Sequence, residues 1–196
     1  MRPAPTLGEP GDLAGFPAVR PPASLFRVYR RPLGTWFFSS SGAGRFDLEP
    51  PEGTCHFAAD PYGAVREASR LGPVTPHWLL GRDLREVAPP DPNARLAATH
   101  VAAAGAYGLT MELVTHMPYD LPRRWAAAFR AAGFRGLRHQ LRHDPRARPA
   151  GVSLFGPAGP ADTPDGRRQP LDPALLAAAG VRVLEAPHSG ALTIEG

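Results

Sequence analysis

From Ser24 to Arg30 the chain reads Ser-Leu-Phe-Arg-Val-Tyr-Arg, a run of β-formers that predicts a strand, followed by Trp36-Phe37-Phe38 and a small-residue loop from Ser39 to Gly44. Thr54 to Ala59 predicts a second strand. Its alternation sets Cys55, Phe57 and Ala59 on one face and Thr54, His56 and Ala58 on the other. The Cys55/Phe57 face is the core side, so His56 looks into a cleft or into water. Asp60-Pro61 supplies an N-cap and a first helical residue for a helix from Tyr62 to Leu71, which Gly72 stops. At roughly 100° per residue, Ala64, Val65, Ala68 and Leu71 form one apolar stripe with Glu67 about 40° off its edge, and Arg66 and Arg70 fall on the opposite, wet side.

Further along, Arg82 to Val87 predicts a short strand, residues 88–92 a proline-rich connection, and the alanine-rich run Asn93 to Ala104 a helix. Asp120-Leu121-Pro122 caps another helix whose Trp125, Ala128, Phe129 and Ala132 share one face, with Gly133 as terminator. Strands are expected at 136–141 and 151–155. Asp172-Pro173 caps a helix over 174–179, Gly180 ends it, and Val181 to Leu184 forms a closing strand. The order lacks the regular βαβ alternation and the GxGxxG loop of a doubly wound fold and contains no internal repeat, so the expected class is α+β.

Composition sets the limits of that domain. The 25 prolines and 21 glycines crowd into the head and the last third, leaving an ordinary globular composition between. Residues 1–23 show no apolar period and are expected to be a disordered or loosely draped arm, with one domain over 24–185 and a tail over 186–196. No stretch has the length of a membrane span and the first twenty residues lack the apolar block of a signal peptide, so a cytoplasmic protein is expected.

A single cysteine, Cys55, excludes an internal disulfide and a cysteine-based zinc site, and the seven histidines show no HExxH-like pairing, so no metal is expected. All 22 basic residues are arginine and the net charge is +4. Eight of these arginines lie between Arg123 and Arg148 against one acid, Asp144. Aromatic interleaving in that run is sparse, which makes it a solvated basic face and nucleic acid an unlikely partner.

Three positions are candidates for chemistry. Arg45 follows the loop Ser39 to Gly44, whose small residues let a ligand approach backbone N–H groups, and its guanidinium adds a two-toothed anion contact; a surface hairpin with a solvated arginine is the plain alternative. Glu67, beside a buried stripe without a helical partner on its own face, needs a cation or hydroxyl from elsewhere, unless it is simply a boundary residue. His56 is a cleft or surface histidine.

Leu25-Phe26-Arg27-Val28, Gly44-Arg45-Phe46-Asp47, Gly53 to Ala58 and Ala64-Val65-Arg66-Glu67 resemble the opening motifs of the RES domain family. Gly108 to Leu113, Arg124 to Ala128, Ala132 to Leu137 and Leu154-Phe155-Gly156 resemble the second half of its short actinobacterial-type members, so the likeness runs from about Leu25 to Gly159. The resemblance implies a mixed-sheet fold related to the ADP-ribosyltransferase type. It also implies an enzyme that degrades NAD+ by hydrolysis or phosphorolysis of the nicotinamide–ribose bond, with NAD+ as substrate, phosphate as possible co-substrate and no resident cofactor. Family relatives are toxins held in check by an Xre-type antitoxin that covers the NAD cleft. By the same resemblance Arg45 and Glu67 are catalytic, and Arg27, Arg45 and His56 bind substrate. A tyrosine usual in the second strand is His56 here, and the serine of the pattern G-[IL]-x-Y-x-S-R falls on Leu141. With those two departures the competing class is a catalytically weakened binding module for an acidic partner or nucleic acid.

Overall fold

The computed structural model describes residues 6–146 and 148–185. Ten strands occur among them: β1 (Ala18–Val19), β2 (Leu25–Arg30), β3 (Phe37–Phe38), β4 (Glu52–Ala58), β5 (Arg82–Val87), β6 (Leu96–Ala98), β7 (Gly136–His139), β8 (Gly151–Pro157), β9 (Gly159–Pro160) and β10 (Arg167–Gln169). Five α-helices accompany them: α1 (Pro61–Ser69), α2 (Pro76–Leu80), α3 (Glu112–Thr115), α4 (Asp120–Ala131) and α5 (Pro173–Ala178). Eight strands form one sheet in the order β1-β6-β7-β8-β4-β2-β5-β10, and β3 pairs with β9 in a second, small sheet. In the large sheet β6 and β7 run parallel and the other pairings are antiparallel, giving the α+β architecture expected of the sequence.

β4 and β8 pair along their whole length, with His56 opposite Ser153. Alternation then divides the core. On one face Leu25, Trp36, Cys55, Phe57, Val152 and Leu154 pack together. On the other, Leu137 and Phe155 meet Trp125 and Phe129 of α4, both fully buried. Burying side chains of that size stabilises the fold by roughly 1.5–3 kcal/mol each.

Several expectations need correction. The alanine-rich run 93–104 is not a helix: Leu96–Ala98 is β6, fully buried between β1 and β7, and Ala102–Tyr107 is a 3-10 turn. Tertiary pairing overrides alanine's helix propensity there. The helix after Asp60 ends at Ser69, because Arg70 and Leu71 both take left-handed backbone and Leu71 leaves the apolar stripe for solvent. The expected closing strand is reduced to a single bridge, Val183 to Val74. The edge strand β10, Arg-Arg-Gln, shows no pattern that announces it, whereas α2 starts on the local signal of Thr75 as cap followed by Pro76. Asp120, expected as a cap, is instead the first residue of α4, whose start has no capping side chain.

The head also differs from expectation. The fold does not begin at Ser24, since Leu7, Leu13 and Phe16 are buried in the α4 core and β1 adds a strand beside β6. Phe16 sits edge-on to Phe129 and Phe134, the Trp125 indole N–H donates to the Gly8 carbonyl (2.9 Å), and Arg124 grips Glu9 through two nitrogens. This segment is extended and packed by tertiary contact, so no local period marks it. Residues 1–5 of the expected arm and the expected tail 186–196 lie outside the described residues.

Arg66, expected on the wet side of α1, is buried. Its Nε donates to the Ala179 carbonyl (2.9 Å) and its Nη1 lies 3.5 Å from Asp144, whose carboxylate is fully enclosed. Arg146 closes on the same carboxylate with two hydrogen bonds of 2.9 Å. The Arg146 hydrogen bonds, helped by the charges of Arg146 and Arg66, outweigh burial and hold the Asp144 carboxyl below its ordinary range.

Two stability predictions follow from these contacts. Phe16→Ala should cost about 3 kcal/mol in denaturant unfolding, whereas an unchanged midpoint would mean the head is detached. Asp144→Ala should cost about 3 kcal/mol at neutral pH by leaving Arg66 buried without its partner. Because the folded carboxyl is depressed, its contribution is fully present above the ordinary carboxylate range and is lost as pH falls below about 4, so the gap between wild type and variant should narrow in acid.

Candidate functional site

A cavity of about 380 Å³ opens on the α1 side of the large sheet, bounded by β2, β4, α1, the loop around Arg45 and the segment that leaves β7. Arg45, His56, Glu67 and Leu141 all line it.

The Arg45 loop is shaped by Asp47, which accepts from the Ser39 hydroxyl (2.9 Å), the Ser41 hydroxyl (3.2 Å) and the Gly44 N–H (3.0 Å). Burial pushes the Asp47 carboxyl up, but the hydrogen bond and charge of His56 and these donors more than offset it, so the group lies below the ordinary carboxylate range. Arg45 itself donates through Nη1 to the His116 carbonyl (2.6 Å) and lies over the Tyr119 ring, 4.4 Å from its centroid. Its Nη2 is buried with no hydrogen-bond partner. Burial pulls the Arg45 guanidinium below its ordinary value and Arg142 acts in the same direction, with Tyr119 and Glu67 opposing. An arginine stays charged through such a shift. The plain hairpin alternative therefore fails: this cation is half-enclosed and incompletely satisfied.

Glu67 comes from α1, which starts as expected, with the Asp60 carboxylate accepting from the Gly63 N–H (2.7 Å) and Pro61 in the first turn. The Glu67 Oε1 accepts from the His143 backbone N–H (2.8 Å), on the loop that follows β7. That loop is fixed in turn by Asp144 on Arg66. Leu141 is buried under α1, close enough that a Cβ on Gly63 would come within 2.8 Å of it. The position at which the motif resemblance expects a serine is thus inside the site, filled by an apolar side chain.

Arg27 does not join the other three with its charged end. It borders the cavity, but its guanidinium turns to the opposite face of the sheet, donating to the Thr35 and Phe37 carbonyls and to the Cys55 sulfur, beside the Phe57 ring. It braces the β3 segment and covers the thiol, which burial pushes up to about 11 and keeps neutral. The β-strand period is the reason: Arg27 shares a face with Leu25, while Phe26 and Val28 face α1.

His56 faces the cavity with its side chain 40% exposed, its Nδ1 2.9 Å from the Ser153 hydroxyl and its Nε2 3.3 Å from Asp47. Ser153 also contacts His139 Nε2 (3.0 Å), and a Cβ on Gly151 would strike the His139 ring at 2.3 Å, so glycine is what lets the ring lie there. Burial pulls the His139 imidazole down to about 3. The sequence reading passed over His139, Asp47, Tyr119 and Arg142. One signal was available: in the pattern that places Leu141 at the serine, His139 occupies the tyrosine, so both tyrosine positions hold histidine. His143 contributes its backbone N–H to Glu67, and among the described residues no group of three or more His, Cys, Asp or Glu side chains that could hold a metal ion occurs.

The basic run is largely tied up within the molecule. Arg124, Arg130, Arg146 and Arg148 pair with Glu9, Glu52, Asp144 and Asp60, while Arg123 and Arg138 donate to the carbonyls of Gly42 and Pro149. Arg142 turns to the cavity, toward the Tyr119 hydroxyl at 3.4 Å. No helix among the described residues is long and apolar enough to cross a membrane.

No family model matches the chain, and no curated protein does. Among solved structures, a chain of the M. tuberculosis MbcT-MbcA toxin-antitoxin complex is similar, with a TM-score of 0.58 over 83% of this chain and 91% of that one, at 13% identity. The likeness lies in the fold, which this chain therefore shares with a component of a toxin–antitoxin complex.

Proposed function

We propose that the chain is an NAD+-degrading enzyme that breaks the nicotinamide–ribose bond, and the toxin of a toxin–antitoxin pair whose partner covers the cavity. The observation that carries this reading is the convergence of Arg45 and Glu67 on one cavity. The family resemblance of the sequence motifs and the fold shared with a toxin–antitoxin component support it.

Breaking this bond sends the electron pair of the C1′–N bond to the nicotinamide ring and leaves an oxocarbenium-like ribose beside a pyrophosphate. Arg45, held by Tyr119 and the His116 carbonyl, supplies positive charge for the pyrophosphate, with Arg142 as the second cation in place of Arg27. Glu67, oriented by the His143 N–H, orients the ribose and opposes its developing positive charge. The exposed part of His56 packs on a ring of the substrate. Water or phosphate then completes the reaction at C1′. Ser153 does not replace the family serine, because it is fully buried and engaged by two histidines. With its basic run largely engaged internally, the molecule has little to support a nucleic-acid module.

NAD loss by purified variants, each checked by a melting curve, tests the assignment. Arg45→Lys keeps the charge but not the fork, and should lower kcat/KM by about 10- to 100-fold. Glu67→Gln should lower kcat by roughly 100-fold or more with the fold intact. Full activity in either variant would refute the roles given. Leu141→Ser should raise turnover while reducing stability by about 2 kcal/mol, since it restores a hydroxyl at the expense of packing under Gly63. An unchanged turnover would show that the hydroxyl at this position has no part in the reaction.

A further inference from the structure

Gln140 is the first residue beyond β7 and lines the cavity. Its backbone is fixed, because its carbonyl accepts from His139 Nδ1 (2.8 Å). Its side chain is not fixed in this way: the Oε1 is buried and has no hydrogen-bond partner among the described residues. Other polar groups of the cavity are engaged, Glu67 by the His143 N–H and His56 by Ser153 and Asp47. A buried amide oxygen without a donor destabilises a fold, and methionine would fill the same space without that cost. The amide at this position is therefore accounted for by a ligand group and not by the packing of the fold.

The chemistry of that group follows from the amide itself. A primary amide carries an acceptor and an NH2 donor side by side, and the last torsion of glutamine is broad enough to turn both toward the cavity. One group satisfies both at once: a second primary carboxamide, lying edge to edge in two hydrogen bonds. A carboxylate or a ketone has no hydrogen to give to Oε1. The walls suit a flat ring carrying such a group, since Phe26, Ala64, Val114 and Leu141 line the same cavity.

We propose that Gln140 is the specificity-determining residue for the leaving group, its amide pairing with the carboxamide of nicotinamide. The identity of the ring rests on the NAD reading, whereas the preference for a neutral primary carboxamide does not. Nicotinamide carries its carboxamide two bonds from the ring nitrogen that is bonded to C1′, so the pairing restrains rotation of the ring about the bond to be broken. It also ties the leaving group to the loop whose His143 N–H orients Glu67. The groups on the two sides of the breaking bond are thus held by one short segment, 140–143.

Nicotinamide and 3-acetylpyridine are the probes. Both are neutral flat rings, so the arginines of the cavity act on them alike, and the ketone has a methyl group where the amide has NH2. Titrated into the wild-type protein and followed by NMR, nicotinamide should bind roughly 10-fold more tightly than the ketone and shift the Gln140 side-chain NH2 signals. Gln140→Met, similar in length but without an amide, should bring the two affinities within about twofold of each other. It should also melt no lower than wild type, since the change removes the unpaired oxygen; a structural role would lower the melting point and leave the preference alone. Equal affinities in wild type, no binding of nicotinamide, a preference that survives in Gln140→Met, or a variant that fails to fold would each overturn the proposal. Comparing NAD+ with its 3-acetylpyridine analogue in the cleavage assay separates this inference from the reading beneath it. Equal cleavage of both dinucleotides would remove the role of Gln140 and keep the NAD reading. Preferred binding of nicotinamide with NAD+ left intact would remove the NAD reading and keep the amide recognition.

Discussion

The site depends on the register of β4 against β8. Seven consecutive residues of β4 are paired, and a slip of one residue would send His56 into the apolar face and Cys55 into the cavity. The same strand anchors what lies on either side of it in sequence. Thr54 exchanges backbone hydrogen bonds with Ser39 at the start of the Arg45 loop, and its hydroxyl donates to the Phe46 carbonyl (2.7 Å) at the end. Asp60, two residues beyond the strand, caps α1 and so sets the azimuth of Glu67. Arg45, His56 and Glu67 thus hang from one buried strand and its two flanks, and their relative positions are as rigid as that strand.

The opposite wall needs a second constraint. After His139 the chain leaves the sheet, and nothing in its local sequence would bring Gln140 to His143 against α1. The enclosed Asp144 does so by binding Arg66 and Arg146 at once, which aims the His143 N–H at Glu67 and lays Leu141 under Gly63. A buried carboxylate with two cations is a demanding contact, since losing either partner strands a charge. Its benefit here is specificity of loop position.

What the sequence made legible follows from this division. Strand β4 and helices α1 and α4 were readable because alternation, a cap followed by proline and an apolar stripe are local signals. The placing of Arg45 and Glu67 on one cavity was legible only through the resemblance of the motifs. Features decided by distant contacts were not. β6 looks helical because alanine favours helix, yet it is buried between two strands. Arg66 looks solvated on a helical wheel until Asp144, 78 residues away, is known to face it. Arg27 fits the motif, but its side chain follows the strand period to the other face. Phe16 and Leu7 are core residues in a proline-rich segment whose apolar positions obey no period. The His139–Ser153–His56 chain needs three strands in register before it exists.

Binding and cleavage of NAD+ in this cavity is the proposed activity. Following NAD+ mixed with the nitrogen-15-labelled wild-type protein in one NMR tube tests it most directly, since substrate, product and the ring signals of His56 are visible together. If the cavity binds and cleaves NAD+, the His56 signals shift on mixing and free nicotinamide then grows at the rate at which NAD+ disappears. Intact NAD+ with unmoved His56 signals would contradict it.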